Sequence, residues 1–165
     1  MIYETKGPVP PPNLNMSESA LFCQSDPGGI GPDIQLSFIS ASFDIIIGQS
    51  NPNVVSILPG VVRPMSRGSV TLQSSKPEDY PILDPNYLGE KSDLEGLLWA
   101  VKHTRDIVHT KSFSEHLTGR ELLPRAEENV QTDDEIRAWL RNNAASFHHQ
   151  AGSCKMGSDL SLIHI

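Results

Sequence analysis

The sequence predicts an α+β fold, an antiparallel sheet covered by helices, on three observations. Apolar and polar residues alternate with strand period in the first half of the chain, helix-period patterns opened by capping boxes fill the second half, and the two kinds never alternate as βαβ units would. A doubly wound nucleotide-binding sheet is not predicted, because no apolar strand leads through a glycine fingerprint into a helix.

Residues 7–16, Gly7-Pro8-Val9-Pro10-Pro11-Pro12-Asn13-Leu14-Asn15-Met16, form neither helix nor central strand, since proline fixes φ and removes a donor. Residues 1–16 therefore read as an extended entry segment. Ala20-Leu21-Phe22-Cys23 is a short apolar run before the turn cluster Asp26-Pro27-Gly28-Gly29-Ile30-Gly31-Pro32-Asp33. That cluster precedes a strand instead of opening a helix, so it is not a phosphate loop. Ile34-Gln35-Leu36-Ser37-Phe38-Ile39 alternates, as a strand with one buried face does. Val54 to Arg63 is apolar and β-branched, with Pro59-Gly60 read as a bend or bulge. Ser69-Val70-Thr71-Leu72-Gln73 alternates again, and the two runs read as an antiparallel pair with Pro64 to Gly68 as the turn.

Ser92-Asp93-Leu94-Glu95 reads as a capping box opening the longest helix, whose Leu94, Leu97, Leu98, Val101, Ile107 and Val108 lie on one face. A second box, Thr132-Asp133-Asp134-Glu135, opens a helix carrying Ile136, Trp139 and Leu140. That helix delivers the chain to Phe147-His148-His149.

A chain of 165 residues suits one domain, and 38% hydrophobic with 20% charged residues suits a folded one. Thirteen prolines and twelve glycines imply that much of the backbone is turn and loop. With 20 acidic and 13 basic residues the net charge is -7 and no basic patch is present, which argues against nucleic-acid binding. No run of apolar residues is long enough to span a membrane and the start lacks a signal-peptide core, so the expected location is cytoplasmic. Cys23 and Cys154 lack zinc spacing and read as buried free thiols of a reducing compartment.

Two kinds of chemistry drop out. Serine hydrolysis on a nucleophile elbow would need G-x-S-x-G, which is missing. His103, His109 and His116 have no metal-ligand spacing or carboxylate cluster and read as helix histidines, so no metal is expected. His148-His149 differs in setting. In an extended segment the two side chains point opposite ways, so one of them can face a cavity, and Ala151-Gly152-Ser153 removes bulk where a backbone passes close to a planar ligand or a strand. Spacing alone leaves two readings open for the pair, a structural histidine capping carbonyls or a catalytic base.

Three ordered motifs carry a resemblance: Arg63-Pro64-Met65-Ser66-Arg67-Gly68-Ser69-Val70-Thr71-Leu72, Leu83-Asp84-Pro85-Asn86-Tyr87-Leu88, and Phe147-His148-His149-Gln150-Ala151-Gly152-Ser153-Cys154-Lys155-Met156-Gly157. Together they resemble the C-terminal part of the glucose/methanol/choline (GMC) oxidoreductases over about residues 17–157, and Pro32-Asp33-Ile34-Gln35-Leu36 fits that family's substrate-domain entry strand. The family's motif is aromatic-His-Pro-x-Gly-Thr-Cys-Arg-Met-Gly, and counting back from Gly152 selects His149. His148 then takes the aromatic position, while Gln150, Ser153 and Lys155 replace the usual proline, threonine and arginine.

The resemblance implies the substrate domain of a flavoprotein oxidoreductase, with FAD as cofactor and a small-molecule alcohol as substrate. His149 would be the general base, accepting the hydroxyl proton while hydride passes to the flavin, a task suited to an imidazole's ordinary pKa. The remaining residues would wall the substrate cavity, with Arg67 and Lys155 in structural ion pairs. No cofactor-binding residue is identifiable in the chain. The family's N-terminal FAD-binding domain and its second active-site His or Asn are not in the sequence, so residues 17–157 read as an incomplete, truncated substrate domain that is inactive alone. Residues 158–165 read as an atypical tail, such as read-through of a truncated gene, and His164 is given no role. Two alternatives are carried beside this: a non-catalytic α+β interaction module, and a complementing subunit of a separate flavin-binding chain.

Overall fold

A computed structural model describes residues 1–9, 17–41, 51–149 and 151–152. Most of the Pro-rich stretch, Gln150, Ser153, Cys154, Lys155 and the 158–165 tail lie outside the described residues. The strands are β1 (Ile2–Thr5), β2 (Ser17–Cys23), β3 (Ile34–Ile39), β4 (Val54–Val61), β5 (Ser69–Thr71), β6 (Ile82–Asp84) and β7 (Leu117–Leu123). The helices are α1 (Lys91–Val108), α2 (Lys111–Ser114) and α3 (Asp133–Asn143). Five strands form one antiparallel sheet in the order β2-β3-β4-β1-β7, and β5 and β6 form a separate ribbon. The predicted α+β class, antiparallel sheet with helices, is what the chain adopts.

Residues directly opposed across an antiparallel pair share a face, so the register sorts the sheet into two sides. Ile34, Leu36 and Phe38 of β3 oppose Val61, Pro59 and Ile57 of β4, and this side carries α1. Gly96 of α1 lies over Ile34 and Val61, and Ile34, Leu36 and Ile57 are completely buried. Leu94, Leu97, Leu98, Val101 and Val108 supply the helix half of that core. On its outer flank α1 meets α3, through buried Ile136 and Leu140 and through Arg137, which donates two hydrogen bonds of 2.9 Å to the Glu95 carboxylate.

Four expectations need correction. Ile2–Thr5 is not part of an entry segment: β1 lies inside the sheet between β4 and β7. Tyr3 fixes it there, donating to Glu121 of β7 at 3.1 Å, while Arg105 of α1 donates to Glu121 at 2.8 Å and to the Val130 carbonyl at 2.9 Å. Burial and then the Glu121 charge push the Tyr3 hydroxyl well above the ordinary tyrosine range.

Pro59-Gly60 makes no bulge, because β4 pairs with β3 in unbroken register through both residues. Ile57 donates its N–H to the Met1 carbonyl on the β1 side. Pro59, two residues on, turns its missing donor to that same side, away from β3, so the β3–β4 ladder loses no hydrogen bond.

Pro64 to Gly68 is no hairpin turn. β5 pairs with β6 instead of β4, and residues 65–66 are held on α1, where Asp93 accepts the Met65 and Ser66 N–H groups at 2.8 Å and the Ser66 hydroxyl. The same capture removes the predicted Ser92 box. The helix begins at Lys91 with Glu90 as N-cap, and Glu95, the box partner, is drawn away to Arg137. The second box forms as predicted, with Thr132 accepting the Glu135 N–H and Glu135 accepting the Thr132 N–H at 2.8 Å.

Candidate active site

The side of the sheet away from α1 is where the candidate site lies. Phe22, Gln35 and Gly60 form one cross-strand row on β2, β3 and β4, and Ala20, Ser37 and Leu58 form the next. Phe22 is 56% exposed, and Gln35, Ser37, Leu58 and Gly60 are half-buried, so described residues cover this face only in part. The Gln35 amide donates to the Ser37 hydroxyl at 3.0 Å along β3, from one row to the next. The floor is thus apolar at Phe22 and Leu58 with one small polar pair between them.

The segment after α3 crosses this face. The helix ends at Asn143, Ala144 takes extended backbone, and the Phe147 ring settles on Gly60, where a Cβ would stand 3.3 Å from its Cε2. The Phe147 and His149 rings lie 6.4 Å apart and tilted by 34°. His149 itself is exposed, at the border of the uncovered face.

The local backbone is not the extended strand expected for the histidine pair. His148 has φ of 59° and donates its N–H to the Ser146 hydroxyl at 3.1 Å, so the chain turns between Phe147 and His149. Gly152 has φ of +99° with nothing within 4 Å of its Cβ position. Its glycine is required by a left-handed backbone, and among the described residues no close neighbour demands the missing bulk.

The other singled-out residues lie elsewhere. His103 stacks on Trp99 within α1 with centroids 4.5 Å apart, and His109, which caps the end of α1, has its Nδ1 2.6 Å from the Arg105 carbonyl. Among the described residues no three His, Cys, Asp or Glu gather as a metal site. Arg67 makes no ion pair among the described residues; it donates to the carbonyls of Pro64 and Ser66. Cys23 is free and half-buried, and burial, then the Asp33 charge, raise its thiol pKa. Asp33 is pulled upward by burial, but the hydrogen bonds from the Ser25 hydroxyl and N–H, and the Arg63 charge, hold it below the usual carboxylate range.

The Gly28-Gly29-Ile30-Gly31 loop does not fit a dinucleotide phosphate. Gly29 donates to the Asp26 carbonyl, Gly28 donates to the Asp26 carboxylate, and the Gln24 amide donates to the Gly29 carbonyl. The Gly28 and Gly29 donors are used internally, with the Asp26 carboxylate where a phosphate would sit. The uncovered sheet face, with aromatic Phe22 and Phe147 and an exposed imidazole, does fit a planar ring with a small polar molecule beside it.

Gly60 and Phe147 were not predicted as site residues. The available signal was a glycine inside a strand, which marks a close approach as often as a bulge.

A family model described as GMC oxidoreductase matches residues 64–161. An oxygen-dependent choline dehydrogenase of Sinorhizobium fredii is 37% identical over 145 residues, covering 87% of this chain and 26% of that protein. An alcohol dehydrogenase [acceptor] of Pseudomonas putida is 32% identical over 164 residues, covering 96% of this chain and 28% of that protein. The crystal structure of pyridoxine 4-oxidase from Mesorbium loti superposes with a TM-score of 0.79 at 29% identity, over 96% of this chain and 31% of that one. The chain thus spans a little over a quarter of the curated relatives it matches. With the predicted motifs, the sheet and the family match in agreement, the chain belongs to the GMC oxidoreductases, an FAD-using family, and carries their C-terminal domain.

Proposed function

We propose that the chain supplies the substrate side of an FAD-dependent oxidoreductase that oxidises a small-molecule alcohol, with His149 as general base. The observation that carries this is the exposed His149 imidazole at the border of a partly uncovered sheet face, in a segment that resembles the family's histidine motif. FAD, when bound by a flavin-binding portion of the enzyme, supplies the hydride acceptor. His149 in its neutral form accepts the hydroxyl proton at a ring nitrogen, which raises the electron density on the carbinol carbon and makes its hydrogen a better hydride. Phe22, Leu58 and Phe147 exclude water from one side of the substrate, while Gln35 and Ser37 offer it hydrogen bonds. Choline, pyridoxine and simple alcohols, named in the relatives, form the first substrate panel.

A flavin-binding portion is the partner this reading requires, whether in the same polypeptide or a separate subunit. The β5–β6 ribbon supports it: beside its strands Leu72 is 85% and Tyr80 86% exposed, apolar surface of the kind a partner covers. The test joins the chain to the flavin-binding portion of a choline dehydrogenase relative and follows anaerobic flavin reduction by each alcohol. His149→Gln should slow reduction by about 10²- to 10⁴-fold, the range for losing a general base, with flavin content unchanged. An unaltered reduction rate in His149→Gln would overturn the assignment.

A further inference from the structure

Gly60 stands in the interior of a five-stranded sheet next to Pro59, two poor strand formers side by side in β4. Pro59 turns its missing donor away from β3, but no feature of the strand pairing explains Gly60, which keeps register with Gln35 without a bulge and without a left-handed φ. What occupies the space is the Phe147 ring, 3.3 Å and 3.7 Å (Cε2 and Cδ2) from where a Cβ would be. A side chain there would force the ring off the strand by a few tenths of an ångström for alanine and further for valine. Phe147 is two residues before His149, its ring 6.4 Å from the imidazole across the His148 turn. Displacing the one ring therefore displaces the other.

We infer that Gly60 is a positioning residue: by having no side chain it seats Phe147 on β4, and through Phe147 it sets the place of the His149 imidazole at the uncovered sheet face. This deepens the reading of His149 as base and rests on it. Misplacement of a reacting group by about 1 Å can cost on the order of 10²-fold in rate, so a seat of this kind bears on turnover without touching substrate.

The test begins on the isotope-labelled 165-residue chain, where no activity is needed. Nuclear Overhauser effects should link the Gly60 α-protons to the Phe147 ring, and those protons should be shifted upfield by it. Gly60→Ala should move the His149 ring resonances while leaving the Trp139 indole resonance and the cooperative melt in place. In a Phe147→Ala background Gly60→Ala should no longer move His149. Unmoved His149 resonances in Gly60→Ala, or a shift that persists without Phe147, overturn the inference. In the chain joined to a flavin-binding portion, Gly60→Ala should lower kcat about tenfold, a partial form of the misplacement penalty, with KM and flavin content held. Full activity in His149→Gln with the seat intact would sink the base assignment and with it the positioning role. A lost seat with an inactive His149→Gln would sink the positioning role alone.

Discussion

Asp93 shows how one side chain redirects its neighbourhood. It is only 4% exposed, and it holds the loop of residues 65–66 on the start of α1 by accepting two backbone N–H groups and the Ser66 hydroxyl. Burial pushes its pKa up, but the hydrogen bonds from Met65 and Ser66 outweigh burial and hold the carboxyl below the usual range. A depressed folded-state pKa means the unfolded chain takes up the proton first. The stabilisation is present above the ordinary carboxylate value of 3.8 and is lost as pH falls through the folded value. Asp93→Asn should cost about 2 kcal/mol at neutral pH, the scale of a hydrogen bond to a charged acceptor, and should flatten the acid loss of stability. Urea unfolding of both chains at neutral pH and below pH 4 checks this, and an unchanged acid slope would refute it.

At the scale of elements, legibility followed the distance over which each element is decided. The α3 start was readable because Thr132 and Glu135 satisfy each other within one turn. Thr132→Ala should therefore destabilise by about 1 kcal/mol, visible as a lower denaturation midpoint with an unchanged slope. The α1 start was misplaced because Asp93 and Glu95, which look like a local box, are engaged by Ser66 and Arg137, the latter 42 residues away. β1 and β7 were missed for a related reason. Ile2–Thr5 is short, both segments are partly polar, and their pairing joins Tyr3 to Glu121, which are 118 positions apart, while β1 also needs Val54 to Ser56 of β4 on its other edge. β3 was legible because Ile34, Leu36 and Phe38 alternate against a face that α1 buries. His149 was legible as a motif position, whereas its support was not, since the contact of Gly60 with Phe147 joins two segments that no local spacing relates.

For the whole molecule, the same sheet has a finished side and, on the other, a face that is buried at Ile2, Ile39, Val54 and Ser56 but open at its Phe22 end. Toward α1, the chain closes a core of Ile34, Leu36, Ile57 and Val101 that can support cooperative folding. Away from α1, the Phe22 face and the β5–β6 ribbon leave large apolar side chains in water. An isolated two-stranded ribbon is marginal by itself and is normally stabilised by packing. On the ribbon, Val70 and Leu83 oppose each other, and Leu72 extends the same face, with no described element over it. Such surface, beside a loop whose donors are used internally, predicts a chain that folds yet neither stays well dispersed nor holds its own flavin. The purified chain should unfold cooperatively, bind a hydrophobic dye while folded, and show no stoichiometric flavin absorbance after incubation with FAD. Leu72→Lys with Leu83→Lys should reduce dye binding and aggregation while leaving the unfolding midpoint nearly unchanged, because both side chains already face solvent. The same pair should weaken association with a flavin-binding portion if that portion covers the ribbon. Stoichiometric flavin in the isolated chain would overturn the flavin prediction, and a double variant that assembles as well as the parent would place the partner's contact elsewhere on the molecule.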